Sequence, residues 1–343
     1  MNIRQKVSLR DYSTIKLGGI AQYEADIISK DDLLAALAWA KDQNLPTIMV
    51  GTGSNIVWKD EGYSGLLLVN RIAGFDVIEQ NADGAFIKIG AGENWDEVVK
   101  QSVEMGMSGL EQLSLIPGSA GATPVQNVGA YGQEISNVLV SIEAYDKQEQ
   151  KFVTISPTDC EFGYRTSRFK TTDKGRFFII SIVVHLTKMM LNLTTYSDLG
   201  DYLEKNNILN PNSKQIRDAV IAIRTAKLPD PAKNPNVGSF FTNPTINRSD
   251  FEELVSKFPL IRSWEMPNDQ VKLSAAWLIE NAGFKGYKDV ETGVFTWPTQ
   301  PLVLVNESAK STTDLIKTKQ KIIDGVKAKF GVTLVQEPEL LPN

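Results

Sequence analysis

Apolar residues recur along this chain at spacings of two and of three to four, and the two periods alternate. Ser29 precedes a run with Leu33, Leu34, Leu37 and Ala38 on one face, which predicts a helix over 30–43. Ser29 caps it, and Asp31 and Asp32 stand in its first turn, where the helix dipole favours acids. Short alternating runs predict strands at 47–50, 56–58, 66–69, 75–79 and 85–89. Asn94 with Glu97 marks another helix start, with Trp95, Val98, Val99 and Val103 turned inward. Strands follow at 138–146 and 152–155, then an apolar run at 177–186 that reads as buried, then a turn at 195–199. A helix over 213–224 carries Ile216, Val220 and Ile223 on one stripe. Beyond it, Ser249 and Glu252 predict a capping box before Phe251, Leu254, Val255 and Phe258. The pattern then predicts a helix over 272–281 stopped by Gly283, a strand over 301–306 and a long amphipathic helix over 311–330. Glu337-Pro338-Glu339 reads as a solvated tail.

Composition narrows the function. At 343 residues, 42% apolar and 22% charged, the chain is globular and long enough for two or three domains. A net charge of −5 argues against nucleic-acid binding by bulk positive charge. The N-terminal residues lack the apolar segment of a signal peptide, and no apolar run reaches membrane-spanning length. The single cysteine, Cys160, excludes an intrachain disulfide and suits a reducing cytosol. The single histidine, His185, lies in the apolar run at 177–186 and reads as a core or edge residue. That leaves a zinc site short of ligands and a Ser-His or Cys-His mechanism without support.

Three stretches carry candidate chemistry. Gly51-Thr52-Gly53-Ser54-Asn55 follows a strand and reads either as a glycine hairpin or as a nest of backbone N–H groups for a phosphate. It lacks the third glycine of a dinucleotide fingerprint and the Gly-Lys-Ser/Thr ending of a P-loop. The stretch 113–136 concentrates glycine and small residues, including Gly118, Ser119, Ala120, Gly121, Ala122, Thr123, Gly129, Ala130 and Gly132. It reads either as an ordinary loop or as a backbone that a flat ligand can approach closely. In 224–243, Arg224 and Lys227 end a helical pattern, Pro229, Pro231 and Pro235 bar further helix, and Gly238-Ser239-Phe240-Phe241 closes the run. This is either a proline-rich linker or a rigid loop aiming Lys227 and Ser239 into one site.

In order along the chain stand Gly51-Thr52-Gly53-Ser54-Asn55, Gly90-Ala91-Gly92-Glu93-Asn94, Ile116-Pro117-Gly118 and Gln126-Asn127-Val128-Gly129-Ala130-Tyr131-Gly132. After them come Phe162-Gly163-Tyr164-Arg165, Lys227-Leu228-Pro229-Asp230-Pro231, Gly238-Ser239-Phe240-Phe241 and Glu337-Pro338-Glu339. Taken together, from Ser13-Thr14 to Glu339, the chain resembles the UDP-N-acetylenolpyruvoylglucosamine reductases, the MurB flavoenzymes of peptidoglycan synthesis, in their type I form. The resemblance implies an α+β fold: a two-subdomain FAD-binding module of the VAO/PCMH-like type over 1–72 and 73–226, and a separate α+β substrate-binding domain over 227–331. Residues 332–343 would carry Glu339 back to the active site. It also implies non-covalent FAD, NADPH as hydride donor, a UDP-sugar substrate, no metal, and a cytoplasmic monomer serving cell-wall biogenesis.

Residue by residue, the resemblance assigns FAD to Gly51, Thr52, Gly53, Ser54, Asn55, Pro117, Gly118, Ser119, Gly121, Ala122, Thr123, Asn127, Gly129, Ala130 and Tyr131. It assigns substrate binding to Tyr164, Tyr196, Arg224, Lys227, Asn243, Lys272 and Gln300, with Arg224, Lys227 and Tyr196 on the diphosphate. Arg165 and Glu339 match the groups that stabilise an enolate-like state, Arg165 as a fixed cation and Glu339 as a donor that would have to be protonated or share a proton. Ser239 matches the proton donor that quenches the carbanion. The chain departs from the family at Ser13-Thr14-Ile15, where Asn-Thr-Phe is more usual, and at Trp297-Pro298, which replaces a histidine-containing stretch. Competing readings are a flavin oxidoreductase of the same fold acting on another substrate, and a non-catalytic nucleotide-sugar binding protein.

Overall fold

The computed structural model describes residues 2–189 and 197–342. The chain forms two compact units that alternate along the sequence. The first comprises Met1–Val7, Ala21–Thr52 and Ser64–Ala226; the second comprises Ser8–Ile20, Gly53–Tyr63 and Lys227–Asn343.

The first unit holds two sheets. In one, the strands run in the order Ile3–Ser8, Ile20–Ile27, Tyr63–Asn70, Thr47–Val50, and the last two are parallel. The helix Lys30–Asp42 returns the chain between strands and buries Leu33, Ala36 and Ala40 against Leu66 and Leu68. Its start is the expected one: Ser29 Oγ accepts from the Asp32 N–H at 3.1 Å. The other sheet is antiparallel, in the order Lys151–Ile155, Leu139–Asp146, Phe177–Thr187, Gly84–Gly90, Phe75–Gln80. The helix Trp95–Glu104, capped by Asn94, packs Trp95, Val98 and Val99 into the core with Ile87, Ile89, Ile142 and Ile182. A smaller cluster joins Leu199 and Leu203 to Ile216, Ala219, Val220 and Ile223 on the helix Ser213–Lys227, with Tyr131 packed against it. His185 lies on a central strand, not an edge: Phe177–Thr187 pairs on both sides, and the imidazole stacks on Phe86 at 4.4 Å.

The second unit is built around the helix Thr312–Phe330. Its apolar stripe, Leu315, Ile322 and Val326, shares a core with Phe240, Phe241, Leu278, Ile279 and Val57, and also with Ile15 and Leu17. Ser311 and Asp314 form a capping box at its start, and Asp60 accepts from the Thr312 and Thr313 N–H groups at 2.7 and 2.9 Å. A four-stranded sheet runs in the order Asn236–Ser239, Gln300–Asn306, Val294–Trp297, Lys288–Asp289. A three-stranded sheet has Gln270–Leu273 between Thr245–Asn247 and Ser263–Met266.

Several expected boundaries move. Ser249 is not a cap: the strand Thr245–Asn247 runs directly into the helix Arg248–Lys257, so Asn247 takes the cap position and Ser249 lies inside the helix. Lys272 and Leu273 belong to a strand, because they pair with Thr245 and Ser263; the helix begins only at Ala275, where Ser274 accepts from Trp277 N–H. Glu337-Pro338-Glu339 is no solvated tail, since Glu339–Leu341 pairs in parallel with Ile56–Trp58. The turn expected over 195–199 lies partly outside the described residues, and the helix Ser197–Lys205 occupies the rest. Among the described residues, no helix is long and apolar enough to cross a membrane.

Candidate active site

In the first unit, the residues expected at the site gather at the end of the helix Ser213–Lys227. Arg224 is half-buried there, and its Nε is shut off from solvent with no acceptor among the described residues. Burial pushes its guanidinium below the ordinary arginine value; its interaction with Tyr131 and the charge of Asp96 oppose that fall, and the cation of Arg165 adds to it. A buried donor without a partner costs free energy that an acceptor from a bound anion would recover. Asp96, one of the few acids here, accepts a bidentate pair from Arg217 at 2.7 and 3.0 Å and a bond from Leu115 N–H at 2.6 Å. Burial raises the Asp96 pKa, but those bonds and the charges of Arg217 and Arg224 outweigh it and lower the carboxyl.

Arg165 adopts φ 56°, a left-handed conformation that a long side chain takes at a cost. The isolated Gly163–Thr166 pairing holds that turn, and the Arg165 guanidinium donates to Gly129 O and stacks 5.2 Å from the Tyr164 ring centre. Asn127 locks the neighbouring segment: its amide donates to Glu134 at 2.6 Å and to Gly163 O at 3.2 Å. Gln112 donates to Tyr131 O at 2.7 Å. The turn carrying Arg165 and the hairpin carrying Gly129, Ala130 and Tyr131 are therefore one hydrogen-bonded piece.

The glycine-rich run lies backbone to backbone with 90–94. Ala120 N–H donates to Glu93 O and Gly121 N–H to Ala91 O, both at 2.9 Å; Trp95 N–H donates to Gly118 O at 3.1 Å. Gly51 closes on the same run, because a Cβ there would stand 2.1 Å from Ser119 Oγ. A larger residue there would have to displace the Ser119 side chain, so two of the sequence segments expected to hold FAD meet in this unit. Ser119, Thr123 and Asn127 are buried, and Thr123 Oγ1 is spent on Ala120 O, whereas Thr52, Pro117 and Ala122 are exposed. This seam of small side chains fits the close approach of a flat cofactor such as FAD.

In the second unit, Ser239 ends a strand whose register slips. Asn236 pairs with Val305 and Ser239 with Val303, so three steps on one strand oppose two on the other. Gly238, at φ 72°, sits in this bulge, which turns the strand just before the serine. Phe240 and Phe241 follow, fully buried and in edge contact at 5.5 Å. Phe240 N–H donates to Leu302 O on one side, and Phe240 O accepts from Glu337 N–H on the other. The chain then reaches Glu339, whose N–H donates to Asn55 O at 3.0 Å. Ser239, Glu339 and the end of the 51–55 turn are thus linked through one unit, as is the N-terminal signature: Thr14 N–H donates to Gly53 O at 3.1 Å. Around them, Lys227 O accepts from Thr299 Oγ1, Asn243 Oδ1 accepts from Ala275 N–H, and Lys272 Nζ lies 5.6 Å from the Trp264 ring centre. Gln300 Oε1 is buried with no donor among the described residues. Tyr196 lies outside the described residues.

Asp96, Arg217 and Asn236 escaped the sequence reading. Asp96 and Arg217 stand 121 residues apart, and nothing local to either announced the other.

Comparison with known proteins matches two family models to separate parts of the chain. The family model for the C-terminal domain of UDP-N-acetylenolpyruvoylglucosamine reductase matches residues 230–341, and an FAD binding domain model matches residues 26–155. The UDP-N-acetylenolpyruvoylglucosamine reductase of Ralstonia nicotianae is 38% identical over 333 residues, covering 96% of each chain. That of Dechloromonas aromatica is 38% identical over 345 residues, covering 99% of this chain and 100% of its own. The crystal structure of the reductase from Thermus caldophilus is similar over 100% of both chains, with a TM-score of 0.68 at 20% identity, a likeness of fold.

Proposed function

Because the chain belongs to the UDP-N-acetylenolpyruvoylglucosamine reductase family, we infer that Arg165, Ser239 and Glu339 carry its reaction. The protein is an NADPH-dependent flavoprotein oxidoreductase that reduces UDP-N-acetylglucosamine enolpyruvate to UDP-N-acetylmuramate for the peptidoglycan cell wall. The chemistry that FAD supplies when bound is hydride relay from NADPH to the outer carbon of the enolpyruvyl group. Gly51, Thr52, Gly53, Ser54, Asn55 and the small-residue run from Pro117 to Tyr131 hold that cofactor in this reading. Residues 1–226 are assigned to FAD, 227–331 to the substrate and 332–343 to the delivery of Glu339.

Hydride addition leaves negative charge on the carbon next to the carboxylate. Arg165, held by its bond to Gly129 O, offers that charge a fixed cation. Glu339 is the second group on that charge; losing one such hydrogen-bond donor costs about 10²–10³ in rate. Ser239 Oγ–H delivers the proton to the carbon, and solvent water reprotonates the serine. Lys227 and Arg224 offer the diphosphate their cations and Tyr196 a hydroxyl donor, and Tyr164, Asn243, Lys272 and Gln300 orient the remainder. A nucleotide-sugar substrate supports a cytoplasmic setting for this work.

The observation that supports this reading best is the bulge at Gly238, which re-aims the strand at Ser239 while Phe240 and Phe241 anchor it in the core. The deciding experiment is NADPH oxidation by the purified yellow protein. It should depend on UDP-N-acetylglucosamine enolpyruvate and yield the lactyl ether. Turnover indifferent to that substrate would favour a flavin oxidoreductase with another acceptor.

A further inference from the structure

Asn236 is 2% exposed, and both ends of its side-chain amide are engaged. Its Oδ1 accepts from Gly238 N–H at 2.8 Å, and its Nδ2 donates to Asn234 O at 2.8 Å, with Pro229 O at a longer 3.5 Å. This orientation is the only one that works, since Gly238 N–H requires an acceptor and the two carbonyls require a donor. The backbone is tied as well: Asn236 O accepts from Thr14 Oγ1 at 2.5 Å, and neighbouring Pro235 O accepts from Asn306 N–H at 2.9 Å.

One buried amide thus spans the stretch from Pro229 to Gly238. On one side it closes the proline-rich loop that leaves Lys227. On the other it supplies the acceptor for the amide of the bulge glycine, at φ 72°. A bulge glycine with an unsatisfied N–H would relax toward regular pairing, and a one-residue slip turns the next side chain to the opposite face. We propose that Asn236 is a positioning residue: through its bond to Gly238 N–H it holds the bulge that aims Ser239 Oγ at its target, and Thr14 braces it from behind. This inference rests on the reading of Ser239 as proton donor. It also gives Thr14, within the segment where the chain departs from its family, a role in the second unit.

The test uses the FAD-loaded full-length protein and separates the two half-reactions by stopped-flow absorbance of the flavin. Asn236→Ala should slow flavin reoxidation by the enolpyruvyl substrate by about 10²-fold, the cost of misplacing a reacting group by about an ångström. Reduction by NADPH should stay within several-fold of wild type, because that step uses no proton from Ser239. The solvent deuterium isotope effect on reoxidation should rise. Asn236→Asp, which keeps an acceptor for Gly238 N–H, should recover part of the loss; Thr14→Val should give a smaller change of the same kind. In the cofactor-free protein, the Gly238 amide should exchange with deuterium faster in Asn236→Ala than in wild type.

The double variant Asn236→Ala/Ser239→Ala should be no slower than Ser239→Ala alone, as for two residues acting as one unit. Independent, multiplying losses would overturn the inference while leaving the role of Ser239 intact; so would equal damage to both half-reactions. If Ser239→Ala alone left reoxidation unchanged, the proton-donor reading would fall and this inference with it. Should Asn236→Ala not fold, Asn236→Asp and Thr14→Val decide by the same measurements: an unchanged isotope effect and unchanged reoxidation in both would overturn the inference.

Discussion

A serine hydroxyl is a weak acid in water, so Ser239 can serve as a proton donor only if it is held against a strongly basic carbon. If it does, Ser239→Ala should slow flavin reoxidation by the substrate at least about 10²-fold, the low end for a lost general acid. NADPH reduction of the flavin should stay within several-fold, and Ser239→Cys should restore part of the loss. Equal slowing of both steps would make Ser239 a positioning residue and leave the proton to an ordered water. Glu339→Gln should hurt less than Glu339→Ala, because an amide still donates. A second expectation concerns Lys227, whose carbonyl ends the helix Ser213–Lys227 against Thr299. Lys227→Ala should raise KM for the UDP-sugar far more than it changes flavin reduction by NADPH; equal effects on both would remove it from the diphosphate. At this scale the residue types were legible in the sequence, but their settings were not. Nothing local to Tyr164-Arg165 announces a left-handed arginine held on Gly129 O.

Among the elements, the strand Asn236–Ser239 shows how one glycine converts a regular pairing into a directed one. A Cβ at Gly238 would meet nothing within 4 Å, so the backbone angle alone demands glycine there. Gly238→Ala should therefore fold, lose about 1 kcal/mol in urea unfolding for its left-handed conformation, and slow reoxidation more than NADPH reduction. Unchanged stability and unchanged reoxidation together would show that the bulge does not aim Ser239. The helices were read well from sequence wherever caps and apolar stripes agree, as at Ser29 and Asn94. The misread starts at Ser249 and Lys272 have one cause. Both stand where a short strand hands over to a helix, and strand pairing with distant residues outweighed local capping and periodicity.

The whole molecule has a predictable acid response. Asp146 is held below the ordinary aspartate value by its bonds from Arg176; Asp289, despite burial that raises it, is lowered by bonds from Lys321 and Thr318, as Asp96 is by Arg217. Each binds its proton less well folded than unfolded, so protonation favours the unfolded chain. Their stabilisation is complete above about pH 4, the ordinary aspartate range, and is lost as pH falls through the lowered folded values. Glu111 has the opposite sign: burial raises it despite bonds from the N–H groups of Gly109, Leu110 and its own residue, so its contribution fades as pH rises. The urea midpoint should therefore drop below about pH 4, and Asp289→Asn should flatten that drop; a midpoint independent of pH from 3 to 5 (roughly the titration range of these groups) would contradict it. A last expectation is that FAD is held without a covalent bond. Burial pushes the Cys160 thiol up to about 11, and His185 is stacked on Phe86, so neither offers a ready nucleophile. Acid or heat denaturation should release all the flavin, and colour left on the precipitated chain would refute this.

By itself, the sequence determined the order of most elements, the α+β class and the motifs that mark the family, because these depend on local caps, periodicity and residue identity. It could not determine which parts of the chain share a unit. A linear reading keeps the first seventy or so residues together, whereas Ser8–Ile20 and Gly53–Tyr63 cluster with the C-terminal part, and a terminal Glu-Pro-Glu that looks solvated becomes a strand beside Ile56–Trp58. Such placements depend on pairings across hundreds of residues, Thr14 with Asn236 and Glu339 with Asn55 among them. No local preference encodes those partners. They are chosen only when the whole core closes and each buried polar group must find its match.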